Sequence, residues 1–261
     1  MDILSQSLGY MRYRLRSSTR YAIHSPFVFE LVTRVFNDRS AYPPYKKTEG
    51  LRSALLRDTR IIHVTDLGAG SRMNKGSQRA VKEICRSAEK SSKYGQLLFR
   101  LVNYLKPQTI IDLGTSLGIT TLYLSAGSPR ARLHTIEGCP QTAAIAQANF
   151  HSQGADHIVL HTGNFDDRLP ELLRKEERID FAFFDGNHRK DPTLRYFELC
   201  LQRAHNASVF VFDDINWSAE MQQAWRLIKA HPRVTISIDL FSMGMVFFRK
   251  EQASQHFVIR F

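Results

Sequence analysis

The chain has 261 residues, 43% of them hydrophobic, with 36 Lys and Arg against 25 Asp and Glu. That is enough for one large domain or a catalytic domain with an extension, and too apolar for a disordered protein. Three scattered cysteines, Cys85, Cys139 and Cys200, exclude a disulfide framework and a cysteine-built zinc site. No apolar run approaches the roughly 20 residues that span a bilayer.

Arg12, Arg14 and Arg16 interrupt an N-terminus that has no apolar signal-peptide core, so the expected setting is the reducing cytoplasm, with no membrane partner. The net charge of +11 is uneven. Residues 1–107 hold 20 Lys and Arg against 8 Asp and Glu, whereas residues 108–261 hold 16 against 17. A basic front joined to a neutral back suits either nucleic-acid contact or a positive rim around an anionic substrate.

In chain order, residues 1–60 mix basic residues with apolar ones at helical spacing, among them Tyr10, Tyr13, Leu15, Phe27, Phe29, Val32 and Phe36. His24-Ser25-Pro26-Phe27 reads as a helix start or as a lid. Tyr42–Gly50, with Pro43 and Pro44, reads as a loop. Ser92–Tyr104 is an amphipathic helix stopped before Pro107. The expectation is a basic, mainly helical cap over residues 1–91 and a catalytic domain over 92–261.

From residue 108 onward, short β-rich runs alternate with helical stretches, the mark of βαβ units and a parallel sheet. Strands are expected at Thr109–Leu113, Arg132–Glu137, His157–His161, Ile179–Asp185 and Ser208–Asp213. Helices are expected near 119–126, 141–152, 168–176, 192–204 and 218–230. The runs IDFAFFD and SVFVFD are almost continuously apolar, as for strands covered on both faces. Val234–Leu240 and Met243–Arg249, joined by a very short connection, predict an antiparallel hairpin at the end.

Two segments compete as a cofactor loop: VTDLGAGS at 64–71 and IIDLGTSLG at 110–118. In each, a strand runs into a glycine turn that lets backbone approach a ligand ahead of a helix N-terminus. A nucleotide-type site also needs a second strand ending in an acid roughly 20 residues on, to receive the ribose hydroxyls. Glu137 supplies it after Gly118. After Gly70 the chain passes through Lys75, Arg79, Lys82 and Lys90 with no such strand, so the second loop is preferred and the first reads as a turn beside the site.

Asp112-Leu-Gly114-Thr-Ser-Leu-Gly118 resembles the first motif of class I S-adenosylmethionine-dependent methyltransferases, an acid followed by Gly, three residues and Gly. It differs from the dehydrogenase pattern, since Ser116 stands where a middle glycine would be. The terminal hairpin is also similar to that family, whose Rossmann-like sheet ends in one reversed strand. The resemblance covers roughly residues 92–250. It implies that Asp112, Gly114, Thr115, Ser116 and Gly118 hold the methionine part of the cofactor and that Glu137 binds its ribose. It also places Asn164 and Phe165 beside adenine, although Asn164 replaces the usual acid.

Acids also end the strands at Asp185 and at Asp213-Asp214. Carboxylates gathered at neighbouring strand ends repel unless a cation joins them, which points to a hard metal ion or a cationic partner. Asp185-Gly-Asn-His188 and Phe212-Asp-Asp-Ile215 resemble the metal sites of catechol and caffeoyl-coenzyme A O-methyltransferases. By that resemblance Asp185, Asp213 and Asp214 would hold Mg²⁺ or another divalent ion, with Asp214 in place of Asn, and Asp185 would also border the cofactor. His188 stands where the catechol enzymes carry a catalytic Lys, and would act as general base with Asp185. Trp217 reads equally as pocket wall or core.

Three functions are compatible with these features. The first is O-methylation of a small-molecule hydroxyl, with or without a metal. The second is RNA methylation through the basic front half, and the third a non-catalytic cofactor-binding module. A homodimer through the cap or the terminal hairpin fits any of them.

Overall fold

The computed structural model describes residues 3–18, 23–65 and 77–261, with side chains from residue 7 onward. Its front portion contains helices α1 (Ile3–Arg16), α2 (Pro26–Leu31), α3 (Pro43–Leu55) and α4 (Val81–Ala88), and a small antiparallel pair, β1 (Ile61–His63) and β2 (Gln78–Ala80). Helix α2 continues into a π-helical turn at Val32–Phe36. Ser25 caps α2 by accepting from the Val28 N–H, so the Ser-Pro dipeptide is a helix start. The loop expected at Tyr42–Gly50 is instead α3. Pro43 and Pro44 occupy its first turn, where a missing N–H costs no hydrogen bond and the fixed φ favours the helix.

Helix α5 (Ser92–Leu105) leads into an eight-stranded sheet. Its strands are β3 (Thr109–Leu113), β4 (Arg132–Glu137), β5 (Val159–Thr162), β6 (Ile179–Phe184), β7 (Ala204–Asp213), β8 (Ile236–Asp239), β9 (Met243–Phe247) and β10 (Gln255–Val258). The order is β10-β8-β9-β7-β6-β3-β4-β5. All pairings are parallel except those of β9 with β7 and β8, which make β9 the reversed strand expected from the terminal hairpin. β10 had no strand signature in its mixed sequence QHFV, yet it covers the outer edge of β8.

Helices α6 (Ile119–Gly127), α7 (Pro140–Ser152), α8 (Phe165–Leu173), α9 (Lys190–Leu201) and α10 (Ala219–Lys229) connect the strands. Helix α8 starts three residues before the predicted position because the Asn164 side chain caps it, accepting from the Asp166 N–H at 3.1 Å.

The apolar strands follow from two covered faces. Phe181, Phe183, Val209 and Val211 pack with α5, α6 and α7; Ala182, Phe184, Phe210 and Phe212 alternate to the other side and pack with α8, α9 and α10. The front portion joins the first of these cores. Val28, Leu31, Val32, Val35 and Phe36 are buried against the same cluster, at about 1.5–3 kcal/mol for each fully buried large side chain. Leu15 and Phe29 stay exposed. The boundary expected between residues 91 and 92 falls in the short link between α4 and α5.

Strand order reverses at β3 and β6, since β4 and β5 lie on one side and β7 on the other. Ligands of open α/β sheets bind in the crevice beyond the strand ends at such a switch point.

Candidate active site

The turn after β3 is built for close approach. Gly114 and Gly118 have φ of +113° and +88°, and Ser116 has +49°. A Cβ on Gly114 would lie 2.1 Å from the Asp185 carbonyl oxygen, so only glycine lets the turns after β3 and β6 meet. Beside this turn, β4 ends in Glu137. Its Oε2 accepts the Ser116 N–H at 2.9 Å, and its Oε1 accepts the Cys139 N–H at 2.9 Å. The predicted loop and the predicted ribose acid thus form one unit.

Asp112 lies beneath the turn, fully buried. The Thr121 and Thr135 hydroxyls donate to its Oδ2 at 2.6 and 2.8 Å, and the Thr115 hydroxyl contacts that of Thr135 at 2.6 Å. Asp112 Oδ1 has no partner. Burial pushes this carboxyl up to about 7 against the pull of the two threonines, and the charges of Glu89 and Glu137 add to the rise.

Asn164 spends its carbonyl oxygen on the α8 cap. The Phe165 ring lies against Gly186, where an added Cβ would come within 2.5 Å of it, and packs edge-on to Tyr196. Phe165 therefore adjoins the Asp185 turn from the β5 side.

At the ends of β6 and β7 the acids converge, and the chain supplies the cation itself. The Lys90 ammonium hydrogen-bonds Asp213 Oδ2 and sits 3.4 Å from Asp185 Oδ1. His188 Nε2 is 3.7 Å from Asp185 Oδ1 and 3.9 Å from Asp214 Oδ2, and the Trp217 ring is centred 5.8 Å from the imidazole. Burial pushes Asp185 up to about 7, with Asp214 and Asp112 adding to the rise and Lys90 and His188 opposing it. Burial also pulls the Lys90 ammonium down, but the carboxylates of Asp185, Asp214 and Glu89 outweigh it and its pKa is raised.

The arrangement does not fit a divalent ion. Lys90 joins Asp185 to Asp213, and among the described residues no three His, Cys, Asp or Glu side chains are grouped to ligate a metal. The carboxylate cluster did call for a cation, but its source lay in the segment assigned to the cap. Glu89 was also missed. Its Oε1 accepts the Leu117 N–H at 2.7 Å, so the stretch before α5 binds both the glycine turn and the acid cluster.

The other glycine segment borders this region. The Thr65 N–H donates to Cys139 Sγ at 3.4 Å, and the His63 N–H donates to Gln141 Oε1 at 2.7 Å. Residues 66–71 of VTDLGAGS lie outside the described residues.

Known proteins resemble this chain in sequence and in fold. Residues 111–215 match a family model described as a methyltransferase domain. The chain is 30% identical over 128 residues to a catechol O-methyltransferase of Niastella koreensis, covering 48% of this chain and 57% of that enzyme. It is 28% identical over 127 residues to a catechol O-methyltransferase of Mycobacterium tuberculosis, covering 48% and 56%. The chain spans about half the length of these curated relatives. A crystal structure of an O-methyltransferase from Bacillus cereus, in complex with S-adenosylhomocysteine, superimposes with a TM-score of 0.57. At 19% identity the match covers 90% of this chain and 99% of that one. The chain is thus similar to methyltransferases in sequence from within β3 to just past β7, and in fold across most of its length.

Proposed function

We propose that the protein transfers a methyl group from S-adenosylmethionine to the hydroxyl of a small molecule. The observation that carries this reading is the pairing of the Gly114–Gly118 turn with Glu137. A carboxylate has about four acceptor positions. Ser116 and Cys139 each take one and hold the carboxylate against the glycine turn, where the ribose hydroxyls would donate to it.

The turn at Gly114, Thr115, Ser116 and Gly118 would hold the methionine part. The unpartnered Oδ1 of Asp112 is a further polar atom at its base. Phe165 supplies an apolar wall for adenine and Asn164 an amide near it. Asp185 closes the socket from the neighbouring strand. The cofactor supplies a sulfonium-bound methyl group. Transfer of that methyl group to the acceptor oxygen would leave the S–C electron pair on sulfur, and His188 would take the acceptor proton. Asp185 and Asp214 would stabilise the imidazolium so formed. Holding the acceptor in line with the sulfonium supplies much of the acceleration.

The curated relatives named as catechol O-methyltransferases support a hydroxyl acceptor. Three free, buried thiols, Cys85, Cys139 and Cys200, suit the reducing cytoplasm. The test is incubation with methyl-labelled S-adenosylmethionine and a panel of small phenols and hydroxy acids. Label in a low-mass O-methyl ether is expected. Label in RNA alone, or in no product of a panel extended to cell-extract metabolites, would overturn the reading.

A further inference from the structure

We propose that Lys90 is the resident cation of this site and that the protein works without a divalent metal. The inference rests on the methyltransferase reading and departs from what the Asp185, Asp213 and Asp214 positions imply by resemblance.

Lys90 is no surface lysine that happens to reach inward. Its side chain is 16% exposed, and those of Asp185 and Asp213 are 10% and 3% exposed. Exposed ion pairs contribute little, but a buried carboxylate left without a counter-charge is costly, so these acids hold the ammonium where it is. The backbone fixes it as well. Glu89, the preceding residue, is tied to the Leu117 N–H in the glycine turn, and α5 begins two residues later.

The placement also answers the electrostatic question the sequence raises. Asp185, Asp213 and Asp214 lie together just at and past the ends of β6 and β7, and Lys90 supplies positive charge between the first two. An ion seated there would have to displace an ammonium already bonded to Asp213. The chemistry follows from the exchange of cations. An ammonium carries half the charge of Mg²⁺ and offers no open coordination positions, so it lowers the pKa of an acceptor hydroxyl less. Proton removal then falls to His188. Lys90 acts as a positioning residue, keeping Asp185 oriented toward the His188 imidazole.

The test is a metal titration of the full chain, stripped of metal and loaded with S-adenosylhomocysteine, followed by melting temperature and calorimetry. The native protein and Lys90→Arg should show no shift and no heat with Mg²⁺ or Mn²⁺. Lys90→Met exposes the acid pair and should gain a metal-dependent rise of about 3–5 °C at tenfold the dissociation constant. Methyl transfer by the native protein should be the same with chelator as with Mg²⁺.

Mg²⁺ binding by the native protein that Asp213→Asn abolishes would overturn the proposal. So would a tenfold or greater fall in turnover with chelator that Mg²⁺ restores. If Lys90→Met does not fold, the native titration and its Asp213→Asn control decide alone. Absence of S-adenosylhomocysteine binding by the native protein would sink the methyltransferase reading instead, with the metal titration still reporting on Lys90.

Discussion

The Ser116 N–H donates to Glu137 Oε2 at 2.9 Å, across 21 residues of sequence. That bond joins the ends of two neighbouring parallel strands, and it explains why a glycine turn and a distant acid act as one feature. Glu137 also accepts from Cys139, so its carboxylate is oriented before any ligand arrives. Preorganisation of this kind lowers the cost of binding.

Gly114 is the tightest point of the site. Gly114→Ala would place a methyl group 2.1 Å from the Asp185 carbonyl oxygen at a φ of +113°. Destabilisation by at least about 3 kcal/mol is expected, measured by denaturant unfolding. A loss below about 1 kcal/mol would mean that the turns after β3 and β6 do not touch.

His188 is the base of the proposed reaction. His188→Ala should lower kcat about 10²–10⁴-fold while leaving S-adenosylhomocysteine affinity unchanged. Turnover within threefold of native would remove its role and shift attention to Asp185.

Asp112 makes stability depend on pH. Its folded pKa is raised to about 7, whereas the unfolded carboxyl titrates near 4. At pH below about 4 both states are protonated and the side chain contributes fully. As pH rises from there through 7, the unfolded chain releases its proton first, so this contribution is lost. Asp112→Asn has no proton to lose. Between pH 5 and 8, without cofactor, its melting temperature should fall less than native by at least about 3 °C. Parallel pH profiles would show that Asp112 is ionised throughout.

The sheet was legible because its signals are local. Strands such as IDFAFF are apolar on both faces, and the short connection at 241–242 predicts a hairpin. The Asp112–Gly118 turn and Glu137 were legible for the same reason, each lying at the end of a recognisable strand. Pro43 and Pro44 misled because proline breaks a helix interior yet favours its first turn, and only the start position distinguishes the two. β10 gave no signal because its residues are chosen by an edge it covers. Lys90 and Glu89 were hidden for a different reason. Their partners, Asp213 and Leu117, lie 123 and 28 residues away, and nothing in the composition of SAEKSS marks it as lining a crevice.

The socket formed by the 114–118 turn and Glu137 is tested most directly by calorimetric titration of S-adenosylhomocysteine into the native protein and Glu137→Ala. The native protein should bind. The variant should bind about 10–100-fold more weakly, for the loss of hydrogen bonds to a charged acceptor. Equal affinity in the two proteins, or no binding by either, would contradict it.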